Sequence, residues 1–309
     1  MVNQPYISVI MASYNHARYL RETVESVWAQ SYTNIELVVV DDASTDESAG
    51  LLKSLFDESP IPMRVEFNEE NRGPAFTIGR AFELSKGELI AFLASDDVYA
   101  PSRFESQLRG FADDPQLQVS FADGVVLDGK GKTGALVHGE KVRHLLSRPP
   151  SEILTYLCTH VSPLHLQCAL VKRTLLKTAN AFDQSALADD WLTNIRIFEQ
   201  IAQGGHCAFV DQVVCYYRVH DENLHKNTDR QVALLKQTIE VYVPAKFRRL
   251  ARANIYWDIG ISMTQSRPLG AIRYLLVSQI NGFRPLAMFK LFTSMVLHVW
   301  HKTVRVIGI

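Results

Sequence analysis

The sequence predicts an α/β protein with a mostly parallel central sheet flanked by helices, and a helical extension at the C-terminal end. Three observations carry this expectation. Short apolar, β-branched runs alternate with helix-period segments from Ile7 to Leu93, the pattern of βαβ units with right-handed crossovers. Two of these runs stop abruptly at paired carboxylates, Asp41/Asp42 and Asp96/Asp97. Beyond Asp229 only helical periodicity remains.

Taken in order, Ile7 to Met11 reads as a strand, and Leu20, Val24, Val27 and Trp28 place a helix after it. Ile35 to Val40 is the second strand; Leu51, Leu52, Leu55 and Phe56 mark the next helix, which Pro60 and Pro62 end. Arg64 to Phe67 alternates like a strand. Asn71-Arg72-Gly73-Pro74 is a turn, and Ile78, Ala81, Phe82 and Leu84 carry a helix to Lys86-Gly87-Glu88. The strand Leu89 to Leu93 follows. A helix with Phe104, Leu108 and Phe111 leads to a strand at Val119 to Phe121. Asp128-Gly129-Lys130-Gly131 is a turn, and the weakly periodic segment from there to Pro150 is expected to be a mobile loop. Gln167 to Val171 and Ala208 to Tyr217 read as strands, with a helix at Trp191 to Ile201 opened by Asp189-Asp190. Leu234 to Tyr242, Phe247 to Ile261, Leu269 to Val277 and Leu286 to Val299 complete the helical part.

A chain of 309 residues, 47% hydrophobic, can bury a sizeable core. Its net charge of −1 does not favour a polyanion, and no nucleic-acid partner is expected. The charge is unevenly spread, with ten Lys/Arg against the single acid Asp258 from Val243 onward. Cys158, Cys168, Cys207 and Cys215 form no CxxC pair, which suits reduced thiols in the cytoplasm. Val2-Asn3-Gln4-Pro5 followed by a strand-like run leads to the expectation of no cleavable leader. The most apolar stretch, Leu286 to Trp300, is broken by Lys290 and falls short of the ~20 residues that span a bilayer.

A strand that ends in acids delivers them to the carboxyl edge of the sheet, where open α/β folds place ligands. For Asp46 a structural role, as a helix N-cap or in an Asx turn, is sufficient. One cap needs one carboxylate, so the adjacent pairs Asp41/Asp42 and Asp96/Asp97 call for a positive group between them. A hard divalent cation with oxygen ligands, Mn²⁺ or Mg²⁺, suits that position and would neutralise a diphosphate. The histidines show neither HxxxH nor HExxH spacing, which argues against zinc. The absence of a Walker lysine loop and of GxGxxG argues against a P-loop NTPase and a dinucleotide enzyme.

The run Ser8-Val9-Ile10-Met11-Ala12-Ser13-Tyr14-Asn15, then Val39-Val40-Asp41-Asp42-Ala43-Ser44-Thr45-Asp46, then Lys86-Gly87-Glu88 leading to Phe92-Leu93-Ala94-Ser95-Asp96-Asp97, resembles the successive motifs of family-2 glycosyltransferases. The resemblance extends from Tyr6 to Asn223. It implies a GT-A fold, and transfer of a sugar with inversion from a nucleotide-sugar donor. By the same resemblance Asp42 binds the base, with Ala12, Ser13 and Tyr14 in its pocket; Asp96 lies near ribose and metal, and Asp97 ligates the metal directly. Many relatives have a third acid where this chain has Ala94. Arg72 or Arg80 would offer the donor a guanidinium, although the family's Ala-Arg-Asn is Thr77-Ile78-Gly79 here. Ala188-Asp189-Asp190-Trp191 resembles the acidic pair that supplies the general base, Asp190, with Asp189 as the alternative. Tyr217-Arg218-Val219-His220 resembles the element that brings Arg218 to phosphate and His220 to the metal. His160 and His165 lie where relatives build the acceptor pocket, and ordinary packing accounts for them equally well.

The resulting expectation is a donor half at residues 1–125, an acceptor and base half at 126–240, and a basic amphipathic tail at 241–309. By the resemblance the expected donor carrier is UDP or dTDP, since Asp42 can accept from the ring N–H that both pyrimidines share. The acceptor is a lipid-linked glycan or a polysaccharide. Basic residues beside aromatic and apolar ones in the tail suit the anionic inner face of the cell membrane, or a helical pair packed on the catalytic part or a second subunit. Two other readings compete: a nucleotide-sugar-binding protein that has lost catalysis, and a nucleotidyltransferase. The latter would carry a Gly-rich phosphate loop, and Met11 to His16 has neither glycine nor lysine.

Overall fold

The computed structural model describes residues 4–183, 185–186, 190–220, 228–264 and 268–282. The chain divides into two compact units, Met1–Leu157 with Ser162–Thr238, and Cys158–Val161 with Ile239–Ile309. In the first unit β1 (Ile7–Ser13), α1 (Ala17–Trp28), β2 (Ile35–Asp41), α2 (Ser48–Glu58), β3 (Met63–Phe67), α3 (Pro74–Leu84) and β4 (Leu89–Phe92) alternate as the periodicity predicts. There follow β5 (Val98–Tyr99), α4 (Arg103–Asp113), β6 (Leu117–Asp128), β7 (Gly131–Leu136), α5 (Gly139–Leu146), α6 (Pro150–Thr159), β8 (Ala169–Lys172), α7 (Arg173–Thr178), α8 (Asp190–Ile201), β9 (His206–Arg218) and α9 (Thr228–Gln237). Residue 125, where the expected donor and acceptor halves meet, lies inside β6.

Among the described residues one sheet of nine strands runs β3-β2-β1-β4-β8-β6-β9-β5, with β7 paired to β6. Strands β3, β2, β1 and β4 run parallel to one another, and so do β6 and β9. β8 runs antiparallel between β4 and β6. All seven residues of β2 are buried, as a parallel strand covered by helices on both faces requires. α1 turns Leu20, Val24 and Val27 inward at helical spacing, and each such burial contributes on the order of 1.5–3 kcal/mol. The core joins these to Val9, Met11, Leu37, Val39, Leu52, Leu55, Leu89 and Ala91. Ser13 pairs with Asp41 and Ile10 with Phe92, so the loops after β1, β2 and β4 leave the sheet at one edge.

The segment from Asp128 to Pro150, expected to be a mobile loop, is ordered instead. Asp128 accepts the Lys130 N–H at 2.8 Å and Gly131 takes a φ of +119°, which closes a hairpin between β6 and β7. α5 then buries Val142, Leu145 and Leu146. Three apolar residues in one helical turn are too few to register as periodicity, and they become legible only through the sheet they cover.

Lys86-Gly87-Glu88 is a structural junction. The Ser8 hydroxyl accepts the Gly87 N–H at 2.6 Å and donates to the buried Glu36 carboxylate at 2.5 Å, which in turn accepts the Lys86 N–H at 2.6 Å. A Cβ at residue 87 would stand 2.4 Å from the Ser8 backbone nitrogen.

In the second unit α10 (Ala245–Met263) and α11 (Pro268–Asn281) form an antiparallel pair. The Ser278 hydroxyl donates to the Ala253 carbonyl at 2.6 Å, and Gly260 admits Leu275 closely enough that a Cβ there would lie 2.6 Å from it. The helix expected at Leu286 to Val299 lies outside the described residues.

Gly87→Ala is expected to cost about 3 kcal/mol, because strand backbone rather than a flexible side chain must give way. Urea unfolding of the two proteins measures this; an unchanged midpoint would refute the close approach.

Candidate active site

The loops after β1 and β2 are tied together by short polar side chains. Asn15, at φ +52°, accepts the Thr45 N–H at 2.8 Å, and the Ser44 hydroxyl accepts the Asn15 N–H at 2.9 Å. Asp46 accepts from the N–H of Ala17, first residue of α1, at 3.1 Å, and from that of Ser48, first residue of α2, at 2.9 Å. Asp46 thus closes an Asx turn before α2 and ties down the first N–H of both helices, while the N-cap positions themselves are His16 and Glu47. Burial alone would push its carboxyl up, but the Ser48 hydroxyl and the Ser48 and Ala17 N–H groups outweigh it and hold it below its ordinary value.

Asp42 is buried and organises the loop before α3. Its carboxylate accepts from Asn68 Nδ2 at 2.6 Å, the Arg72 N–H at 2.9 Å and the Gly73 N–H at 2.8 Å. A carboxylate offers about four lone-pair positions, so one on Oδ2 stays open beside these three donors. Thr77, in the segment that departs from the family pattern, completes the set by accepting from Asn68 at 3.1 Å. The Arg72 guanidinium lies over Phe76, 4.2 Å from the ring centroid. Arg80 is a brace, donating to the Phe67 carbonyl at 2.9 Å and to Asn68 Oδ1 at 2.6 Å, so its guanidinium is committed to the fold. Ala12 is half-buried and Tyr14 exposed. The Ser13 hydroxyl is buried with no hydrogen-bond partner, and the Ser13 carbonyl accepts the Asp42 N–H at 2.8 Å.

At the end of β4 the two carboxylates take different positions. Asp96 Oδ2 lies 2.9 Å from His220 Nε2, and ligand atoms of His16, Asp96 and His220 all lie within 4.8 Å of one another. His16 Nδ1 is 2.7 Å from the Ser95 hydroxyl. Asp97, expected as the direct metal ligand, is outside this group: it is 0% exposed, its Oδ1 accepts the Arg218 N–H at 2.8 Å, and its Oδ2 is buried without a partner. Placement beside the histidines falls to Asp96. Burial first, then the Cys215 thiol and the Asp96 carboxylate, push the Asp97 carboxyl well above its ordinary value, against the pull of Arg218.

Arg218 ends β9 and is held from three sides. Its Nε donates to the Asp96 carbonyl at 2.7 Å, its Nη2 to Glu22 at 2.6 Å, and its guanidinium lies 4.9 Å from the Tyr19 ring centroid. It anchors β9 to the loop that carries the acids. Nothing in the sequence pattern singled out His16, Tyr19 or Glu22; only the return of β9 across the sheet edge brings His220 and Arg218 to them.

Asp190 is the first residue of α8, and its Oδ2 accepts the Leu166 N–H at 3.3 Å. The alternative, Asp189, lies outside the described residues. Trp191 anchors the start of α8 by donating to the Leu157 carbonyl at 2.8 Å. His165, next to Leu166, packs edge-on to Tyr217, with centroids 5.4 Å apart, so the segment whose backbone Asp190 holds touches the strand that carries Arg218. Its backbone is fixed by His138, whose Nδ1 faces the Ala122 carbonyl at 2.7 Å and whose Nε2 accepts the His165 N–H at 3.0 Å. These contacts require the neutral Nδ1–H tautomer. Asp123, also unmarked by the sequence, accepts the N–H groups of His138 at 2.9 Å and Gly139 at 3.0 Å. His160 belongs to the second unit, where it meets Asn254 Nδ2 at 3.1 Å and the Thr159 hydroxyl at 3.0 Å.

With this geometry the relatives can be placed. The family model described as Glycosyl transferase family 2 matches residues 8–178, more than half of the chain. The chain belongs to that family. A protein named as an uncharacterized glycosyltransferase of Rickettsia typhi is 28% identical over 303 residues, covering 89% of this chain and 90% of its own. The putative teichuronic acid biosynthesis glycosyltransferase TuaG of Bacillus subtilis is 38% identical over 105 residues, 34% of this chain and 41% of its own. An uncharacterized glycosyltransferase of Nostoc is 38% identical over 133 residues, 41% of this chain and 39% of its own. The chain thus matches well under half the length of several relatives.

Two solved structures share the fold. S. aureus TarS 1-349 in complex with UDP-GlcNAc aligns with a TM-score of 0.61 at 18% identity, over 88% of this chain and 79% of that one. Mannosyltransferase PcManGT from Pyrobaculum calidifontis, in complex with GDP-Man and Mn²⁺, aligns with a TM-score of 0.61 at 21% identity, over 96% and 81%. The fold of this family 2 chain is accordingly of the GT-A type, with a sheet that is parallel through β1 to β4.

The raised Asp97 carboxyl has a definite pH signature. Its contribution to stability is complete below its ordinary value of 3.8 and is lost as pH rises toward the folded value. Asp97→Asn removes that loss. The melting temperature of the variant minus that of the wild type, both in chelator, is expected to grow from pH 4 to pH 8; a constant difference would refute the assignment.

Proposed function

We propose that this chain is an inverting glycosyltransferase that moves a sugar from a UDP- or dTDP-linked donor to a glycan or lipid-linked glycan during assembly of a cell-surface polysaccharide. The observation that carries the reading is the cluster of carboxylate and imidazole groups at the ends of β4 and β9 in a family 2 chain. TarS in complex with UDP-GlcNAc, PcManGT in complex with GDP-Man and Mn²⁺, and the teichuronic acid name of TuaG support the donor class and the pathway type.

The donor set fits a divalent cation, since imidazole and carboxylate both suit Mn²⁺ and carboxylate suits Mg²⁺. Asp96 and His220 would hold it, with the buried Asp97 behind them. Bound there, it would offset the charge of a diphosphate leaving group. The chain's own residues do the rest. Asp42 receives the ring N–H of the base on its open lone pair, beside Ala12, Ser13 and Tyr14, and Arg72 stands at the rim of the same loop. Arg218 adds positive charge next to Asp96. Asp190 takes the proton of the acceptor hydroxyl as its oxygen bonds to the anomeric carbon, while the bond to the diphosphate breaks and the nucleoside diphosphate leaves.

A binding protein without catalysis is favoured by one observation, Ala94 in place of an acid. Turnover of a nucleotide-sugar panel with Mn²⁺ separates the two readings. Transfer or hydrolysis of one donor is expected. Asp190→Asn should lower transfer by about 10²–10⁴-fold while donor affinity is kept, as loss of a general base does. Near-normal transfer by that variant would remove Asp190 from the role.

A peripheral position on the inner face of the cell membrane is part of the proposal. No described helix is long and apolar enough to cross a membrane. On α11, Ile272, Leu276 and Ile280 recur every fourth residue and are 45%, 54% and 79% exposed, with Arg273 beside them. An exposed apolar stripe with flanking positive charge suits an anionic bilayer surface. Leu276→Glu with Ile280→Glu is expected to reduce co-sedimentation with phosphatidylglycerol vesicles severalfold, without affecting neutral ones. Equal sedimentation would leave the face to another subunit.

A further inference from the structure

We propose that His16 is a third protein ligand of the metal centre, making it a two-histidine, one-carboxylate site that takes Mn²⁺ or another first-row transition ion before any donor is bound. This rests on the functional reading above, and it goes beyond it in naming a ligand from the loop after β1 and a metal preference.

The spacing is the first support. Two ligands of one ion, each about 2.0–2.2 Å from it, are at most about 4.4 Å apart. The ligand atoms of His16, Asp96 and His220 lie within 4.8 Å of one another, so side-chain rotation of a few tenths of an ångström closes the set. The His16 and His220 rings stand nearly perpendicular, at 87° with centroids 5.7 Å apart, and so do not stack face to face.

The surroundings of His16 are the second support. The buried Ser95 hydroxyl, 2.7 Å from Nδ1, holds the ring in place and leaves Nε2 as the nitrogen it does not engage. A partner on one ring nitrogen is what orients a ligating imidazole and leaves the other to the ion. The backbone N–H of His16 is fixed separately, by the Ser48 hydroxyl at 3.1 Å. Main-chain and side-chain anchors together leave the ring little freedom.

Ligand chemistry is the third. The loop after β4 gives this group one carboxylate, Asp96, since Ala94 carries no ligand atom and Asp97 lies outside it, so an all-oxygen shell would be short of protein groups. His16 adds to the number and changes the kind. Oxygen ligands suit Mg²⁺, whereas imidazole moves the preference away from Mg²⁺ toward first-row transition ions. A centre with three protein ligands also needs less help from the diphosphate to hold its ion.

The test uses the full chain and Mn²⁺ alone. Electron paramagnetic resonance is expected to show one bound Mn²⁺ without nucleotide, resistant to a tenfold excess of Mg²⁺, and its pulsed form to report two histidine nitrogens. In His16→Ala and His16→Asn, with melting curves confirming the fold, one nitrogen should remain and affinity should fall by roughly tenfold or more. Unchanged affinity and two nitrogens in both variants, with binding lost in His220→Ala, would overturn the His16 assignment and leave the proposed function standing. Absence of Mn²⁺ binding in the wild type, with and without UDP, would overturn both.

Discussion

The site exists because β9 returns across the sheet edge and puts a main-chain N–H on a buried carboxylate. Asp97 is the last acid of the loop after β4, and Arg218 comes to it from far along the chain. A buried carboxyl group without donors is strongly disfavoured, so the bond from Arg218 fixes where β9 must end. Once that register is set, Arg218 Nε reaches the Asp96 carbonyl and His220 reaches the Asp96 carboxylate. The functional groups lie downstream of a structural bond made by their neighbours.

The same device recurs at each loop of the site. Asp42 gathers the Arg72 and Gly73 N–H groups, Asp123 those of His138 and Gly139, and Asp46 those of Ala17 and Ser48. In each case one short acidic side chain replaces the hydrogen bonds that a strand or helix would have supplied, so loops of irregular backbone hold one shape. Rigid loops on a parallel sheet are what a catalytic centre needs, because its groups must be placed to within fractions of an ångström.

Much of this was readable from the residues. Strand and helix periodicity placed β1 to β4 and α1 to α3, because buried parallel strands are continuous apolar runs and the covering helices are amphipathic. The acids at the strand ends were legible for the same reason, as abrupt stops in those runs. Three things were not. The 131–150 segment folds as hairpin and helix because β6 and β9 are there to receive it. The division of labour between Asp96 and Asp97 depends on which side chain the loop turns inward, and adjacent residues of like type carry no sign of that. His16 gains a meaning only from two partners distant in sequence.

One further consequence follows from His138. Its imidazole sits in the interior, and burial, opposed by the Ala122 carbonyl and Asp123, keeps it more easily neutral than an ordinary histidine. As the medium turns acidic past the ordinary histidine range, the unfolded chain takes up this proton more readily than the folded one, and the fold loses stability. A proton on Nε2 would also abolish the acceptor on which the His165 backbone hangs. The loops around Asp46 rest on a carboxylate held ionised well below that range. Mild acid therefore acts on the two sets of loops unequally: it weakens the hold on the His165–Leu166 segment that touches Asp190 while the loops around Asp46 keep their ties.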